Sequence, residues 1–259
     1  MEFIDTHSHL YAEEFDADRE EAVHRCFEAG VNRLILPDID ATSRQAMLDL
    51  AAAYPQQFFA CAGLHPTSVD GNYHNALGEV EKMLAGNRHF AAIGEIGIDL
   101  YWDQTFEREQ FDAFAIQVKW AKELNLPIIV HIRNAIDKTI AALEPLADNR
   151  LRGVFHCFSG TVEQARKAIS MGFMLGIGGV LTFKKSDLPT VVEQIDIQHL
   201  LLETDCPYLA PSPHRGQRNE SCFLPLIAQK LSEIKHISIE SVAAQTTANA
   251  ERLFNFGHV

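Results

Sequence analysis

Imidazoles and carboxylates recur at one kind of position in this chain, where a short apolar run stops. The first run leads into Asp5-Thr6-His7-Ser8-His9, the third into Gly63-Leu64-His65-Pro66, and the fourth into Gly94-Glu95-Ile96-Gly97-Ile98-Asp99. The fifth ends in His131-Ile132-Arg133, the sixth in His156-Cys157-Phe158-Ser159-Gly160, and the last in Glu203-Thr204-Asp205. Imidazole nitrogens and carboxylate oxygens are the donors that hold catalytic divalent cations. His7, His9, Glu95, His131, His156 and Asp205 are therefore the expected metal ligands. His7 and His9 are two residues apart, so on an extended chain both point the same way and can hold one ion together. Burying this many ionisable groups without a cation would cost on the order of several kcal/mol.

Other polar residues extend the candidate site. Glu203 shares a face with Asp205, as a loop cap or arginine partner or as a carboxylate that orients a ligand or a water. Arg133 lies two residues beyond His131 on the same side, where a planar guanidinium suits a phosphate. Arg215 and Arg218 sit in a proline- and glycine-bearing loop after the last run, as solvated side chains or as part of the rim. His65 has no partner at period two and stays open as core residue, ligand or substrate contact. The aromatics between Phe106 and Trp120 fall at helical spacing and read as core. Gly176, Gly178 and Gly179 read as a tight turn, because no phosphate-loop pattern follows them.

These positions require elements that converge. Candidate strands cover residues 3–7, 33–37, 58–64, 91–95, 128–131, 153–156, 174–177 and 200–203, with helical patterns such as 14–29, 43–53, 106–123 and 162–171 between them. Gly30 and Gly172 follow two of the helices, where a left-handed cap is expected. Proline in Leu124-Asn125-Leu126-Pro127 is expected to close the third. Eight strands, each free of charge until its end, imply a parallel sheet buried on both faces. An open doubly wound sheet and a closed barrel both satisfy that pattern. The strand number and the polar groups at the C-terminal strand ends favour a single (β/α)8 TIM barrel, one domain over residues 1–259.

Bulk properties narrow the function. With 47% hydrophobic and 22% charged residues the composition is that of an ordinary globular protein. No apolar run approaches the roughly 20 residues of a membrane span, and the start lacks the pattern of a signal peptide, so a cytoplasmic protein is expected. Five scattered cysteines without a C-x-x-C pair argue against a disulfide framework or a thiolate zinc knot. The net charge is −13, and no lysine–arginine run is present to build a broad basic face for nucleic acid. A polyanionic substrate has to be met locally, by metals and a few arginines.

The motifs Asp-Thr-His-Ser-His-Leu (5–10), Gly-Leu-His-Pro (63–66), Gly-Glu-Ile-Gly-Ile-Asp (94–99), His-Ile-Arg (131–133), His-Cys-Phe-Ser-Gly (156–160) and Glu-Thr-Asp-Cys-Pro-Tyr-Leu (203–209) together resemble the TatD family of metal-dependent deoxyribonucleases. The resemblance runs from residue 5 to about residue 254. It implies two divalent ions, usually magnesium in the family, although this histidine-rich ligand set would also suit zinc or manganese. His7, His9, Glu95 and Asp205 would hold the first ion, and Glu95, His131 and His156 the second, with Glu95 bridging. His65, Arg133 and Glu203 match positions the family associates with substrate or catalysis. Thr67 stands where many members have a second histidine, Cys206 where serine is usual, and Asn219-Glu220-Ser221 replaces Asn-Glu-Pro. The first and third of these departures lie where substrate would sit.

On this reading the enzyme is a monomer that cleaves phosphodiester bonds of DNA in exonuclease fashion, at single strands or strand ends. Asp205 would act as general base toward a metal-activated water. The rival is an amidohydrolase-type enzyme acting on a cyclic amide or lactone. Such enzymes often bridge their metals with a carboxylated lysine on the fourth or fifth strand. Glu95 on the fourth run and the absence of lysine in the fifth favour the nuclease.

Overall fold

The computed structural model describes residues 1–86, 89–254 and 256. Eight parallel strands follow one another around the molecule: β1 (Phe3–Asp5), β2 (Val31–Leu36), β3 (Phe58–Ala60), β4 (Ile93–Asp99), β5 (Ile128–Arg133), β6 (Gly153–Phe155), β7 (Phe173–Ile177) and β8 (Leu200–Leu202). Continuous pairing joins β1-β2-β3 and β4-β5-β6-β7-β8. Backbone bonds stitch the two arcs together at both seams. Ala91 N–H donates to the Ala60 carbonyl and Gly94 N–H to that of Ala62; on the other side Thr6 N–H donates to Leu202 and Asp205 N–H to His7. Parallel bridges at Ala62–Ile93 and Ser8–Cys206 complete the TIM barrel.

Helices α1 (Arg19–Glu28), α2 (Arg44–Ala53), α3 (Tyr73–Leu84), α4 (Glu107–Leu124), α5 (Ile136–Leu143), α6 (Val162–Ser170), α7 (Leu188–Glu193), α8 (Leu224–Lys235) and α9 (Ile239–Leu253) alternate with or follow the strands. Gly30 and Gly172 take the left-handed conformation after α1 and α6, at φ +80° and +92°. The stop of α4 comes before its proline: Asn125 is itself left-handed and caps the helix. The helix expected over 14–29 begins only at Arg19. Its guanidinium donates to the carbonyls of Leu10, Tyr11 and Ala12, holding the preceding segment as a fitted loop.

Inside the barrel Ile4, Ile35, Cys61, Ile129, Val154, Met174 and Leu201 form a separate apolar cluster, and Ala250, Leu253 and Phe254 at the end of α9 join it. Two residues further along β5, and just beyond the ends of β6 and β8, the same inward face carries His131, His156 and Glu203. The apolar layer and the C-terminal helix thus fill one end of the barrel, and the polar residues lie toward the other.

Candidate metal centre

Glu95 stands at the middle of the polar end and is almost wholly buried. Its Oε2 lies 3.1 Å from His7 Nε2 and 3.7 Å from His9 Nε2. Its Oε1 lies 2.8 Å from His131 Nδ1, 3.4 Å from His65 Nε2 and 3.5 Å from His156 Nε2. Asp205 Oδ1 approaches His9 Nε2 at 3.6 Å and His7 Nε2 at 3.8 Å. All six sequence-expected ligands therefore meet in one cluster. The sets whose donor atoms lie close together are His7–His9–Glu95, His7–His156–Asp205 and His65–Glu95–His131. His156 thus sits nearer the His7 side than the family resemblance implies, its ring stacked on that of His7 with centroids 3.5 Å apart, and His65 stands beside His131.

Residues around the cluster fix which nitrogen faces it. The hydroxyl of Tyr11 donates its one proton to the Pro37 carbonyl, so it accepts from His9 Nδ1–H at 2.7 Å. That leaves the His9 Nε2 lone pair directed at the centre. Asp99 Oδ2 lies 2.8 Å from His131 Nε2, which leaves Nδ1 toward Glu95. His65 is arranged the other way. Its Nδ1 accepts from the backbone N–H of Thr67 at 3.2 Å and lies 2.6 Å from the Thr67 hydroxyl. A neutral His65 then carries its proton on Nε2, toward Glu95, as a donor. The backbone N–H of Thr67 sets this tautomer, and the Thr67 hydroxyl lies beside it. Tyr11 and Asp99 had no assigned role in the sequence reading.

Glu203 caps the turn after β6 and also stands beside a metal-site imidazole. Its Oε1 accepts from Cys157 N–H at 2.6 Å and lies 3.0 Å from His156 Nδ1, out of line for a hydrogen bond. It has no arginine partner among the described residues. Gly176 makes room for it: a Cβ there would meet Glu203 Oε2 at 2.1 Å. Gly176 is thus a residue of β7 that clears space, where the sequence reading had a tight turn.

The charge balance calls for a cation. Glu95, Asp99, Glu203 and Asp205 face this space, and among the described residues none is paired with lysine or arginine. Burial would push the Glu95 carboxyl up, but its imidazole neighbours His7, His65 and His156 and a bond from His131 hold it well below the usual range. Asp205, likewise opposed by burial, is held down by His156, His9 and His7. Burial would lower the His156 imidazole, yet Glu203, Glu95 and Asp205 lift it to about 10. Carboxylates that stay ionised and draw a proton onto a buried imidazole are a field suited to divalent cations. His7 Nε2 and His9 Nε2, 3.1 Å apart, add donors that only a proton or a metal can reconcile.

A cavity of about 740 Å³ opens on the cluster, lined by His9, His65, Glu95, His131, His156 and Asp205 with Asp99, Trp102, Arg133 and Tyr208 at its walls. A profile of the family described as TatD related DNase matches residues 4–255. The chain belongs to this family. It is 37% identical over 252 residues to the uncharacterized metal-dependent hydrolase YabD of Bacillus subtilis, covering 97% of this chain and 98% of that protein. The 3'-5' ssDNA/RNA exonuclease TatD of Erwinia tasmaniensis is 33% identical, with 95% and 97% covered. The crystal structure of YjjV, a TatD homologue from Escherichia coli, superimposes with TM-score 0.92 at 32% identity, over 98% of each chain. This TatD-family protein is a metal-dependent hydrolase, and its donor set fits that chemistry.

Within that family setting the remaining sequence-derived candidates divide. Arg133 is exposed at the end of β5 and lines the cavity, with no ion-pair partner among the described residues; its Cζ lies 3.9 Å from the Tyr101 ring centroid. Arg218 is structural, paired with Asp18 at 2.6 Å and Glu220 at 2.8 Å beside the Arg25–Glu220 bridge. Arg215 lies over Phe183. Cys206 is buried against Ser8 and Ser221, its thiol pushed up to about 12 by burial. Ser221, where the family has proline, donates to Asp5 at 2.7 Å, so this departure serves the strand-end network under His7. No helix among the described residues is long and apolar enough to cross a membrane.

Proposed function

We propose that this chain is a two-metal exonuclease acting from the 3' end on single-stranded nucleic acid, as one cytoplasmic, monomeric domain over residues 1–259. The observation that carries the two-metal reading is the division of donors about Glu95. One carboxylate oxygen faces His7 and His9, the other His131, His65 and His156. A carboxylate so placed is suited to bridge two ions. His7, His9 and Asp205 would complete one ion's set and His131 and His156 the other's. Magnesium follows from the family, while the nitrogen-rich set also suits zinc or manganese.

When bound, the ions lower the pKa of a water and offset charge on the phosphate. Asp205, ionised beside His7 and His9, takes the proton of the attacking water. His65 presents Nε2–H to a phosphate oxygen or the departing oxygen. Glu203 holds the Cys157 backbone and sets its charge beside His156, and Arg133 at the rim grips a phosphate. The name of the Erwinia relative supports single-stranded substrates and the 3'-5' direction. The cyclic-amide reading loses ground because the bridging position is a glutamate and no lysine lines the cavity among the described residues.

The test is cleavage by metal-reconstituted protein of end-labelled linear strands, closed circles, RNA and a dihydroorotate-like amide across a salt series. Mononucleotides are expected from the 3' ends of linear strands. With two or three phosphate contacts, the log–log salt slope should be about −1.4 to −2.1 at roughly −0.7 per contact. Circles cut as fast as linear strands would overturn the exonuclease reading. Turnover of the amide alone would replace it with the amidohydrolase.

A further inference from the structure

Most of the exposed large apolar side chains gather at the mouth of the metal site. Among the described residues seven such side chains exist, and Tyr101, Trp102, Tyr208 and Leu209 are four of them. Trp102, Tyr208 and Leu209 line the cavity itself. Trp102 is 68% exposed and Tyr101 52%, an unusual cost for the two rings to bear in water without a partner. The rings meet edge to face, centroids 4.9 Å apart, and the Arg133 guanidinium lies over both, 3.9 Å from Tyr101 and 5.0 Å from Trp102.

This shelf is tied to the metal site through one side chain. Asp99 Oδ1 accepts from the backbone N–H groups of Tyr101 at 2.9 Å and Trp102 at 3.3 Å. Its Oδ2 holds His131 Nε2. The same carboxylate therefore sets the position of a metal-site imidazole and of the aromatic pair. On the neighbouring strand β5, Arg133 stands in register with Asp99.

We infer that Trp102, with Tyr101 and Arg133, is a stacking shelf for an unpaired nucleobase next to the cleaved phosphodiester. The inference rests on the nuclease reading and deepens it. A base paired inside a duplex has neither face free, while an unpaired end can turn each base onto the shelf, so the shelf favours single strands. It also answers the charge problem: a protein at −13 without a lysine–arginine run gains affinity from ring faces, which every base offers, beside a few phosphate contacts. The cation above the rings adds to the attraction for a π-face on the shelf and leaves its N–H groups for the adjacent phosphate.

The test is a double-mutant cycle between protein and substrate. Wild type and Trp102→Ala are each assayed on a linear oligonucleotide and on the same strand lacking bases at its last 3' nucleotides. Wild type should show a KM about tenfold higher on the abasic strand, and Trp102→Ala about tenfold higher on the normal one, with kcat little altered. The two losses should not add, because they remove the same contact. Trp102→Phe should recover most of the difference. Fully additive losses, or an unchanged KM on the normal strand in Trp102→Ala, would overturn the shelf while leaving the nuclease intact. Wild type that cleaves neither strand would overturn both.

Discussion

Replacing Tyr11 with phenylalanine removes one oxygen atom, and two buried groups lose their partner. The hydroxyl accepts from His9 Nδ1–H at 2.7 Å and donates to the Pro37 carbonyl, and Tyr11 itself is 2% exposed. Two lost hydrogen bonds at about 1 kcal/mol each give about 2 kcal/mol of stability. At about 2–4 °C per kcal/mol for a chain of this size, Tm should fall by about 4–8 °C. The larger consequence concerns metal. Without the acceptor, the neutral His9 ring is free to carry its proton on Nε2, the nitrogen that faces the centre. Loss of such an orienting partner lowers metal affinity by about 10–100-fold. Titration of metal-free protein with Mn2+ by calorimetry, for wild type and Tyr11→Phe, reads this directly. A fall in Tm with unchanged Mn2+ affinity would refute the claim that Tyr11 fixes the His9 tautomer.

Two further substitutions probe other parts of the site. Gly176→Ala places a methyl 2.1 Å from Glu203 Oε2, so Glu203 must move off His156 and Cys157. Cleavage should drop at least tenfold, with a loss of about 1–3 kcal/mol in urea unfolding; full activity would show that Glu203 positions nothing. Arg133→Lys keeps the charge but loses the flat fork that stacks on Tyr101. KM for oligonucleotides should rise severalfold with Tm unchanged, and a shift in Tm with unaltered kinetics would make Arg133 structural.

The parts of this site legible in the sequence are those tied to strand ends. His131, His156 and Glu203 follow inward-facing apolar residues by two, so alternation along β5, β6 and β8 places them without knowledge of the rest. His7 and His9 were placed on one side by extended spacing, and they do meet, although β1 ends at Asp5. What keeps the chain extended there is pairing with the continuation of β8, through Asp205 N–H to His7 and the Ser8–Cys206 bridge. The residues that strand-end spacing does not reveal are hidden for separate reasons. The charge at Glu95 marks the expected end of the fourth run, but β4 continues to Asp99 past a register shift near Ile96, so spacing alone gives Asp99 no role. Tyr11 lies two residues from His9, but the Pro37 carbonyl that takes its proton, and so makes it an acceptor for His9, is a long-range partner that no local pattern carries. The Trp102 shelf is a matter of exposure, which apolar residue type conceals. Arg218, solvated or at the rim by sequence, is instead held by Glu220 of its own loop and by Asp18, 200 residues away in sequence.

The central claim is that Glu95 joins two cations, and metal stoichiometry tests it most directly. Equilibrium dialysis of the full chain against Mn2+, followed by elemental analysis, should give two equivalents per chain in the wild type. Glu95→Gln keeps the shape but removes the charge from both halves of the site, so it should retain less than one equivalent at the same free Mn2+ while its circular dichroism stays that of the wild type. A single equivalent in the wild type, or two retained in Glu95→Gln, would contradict the account.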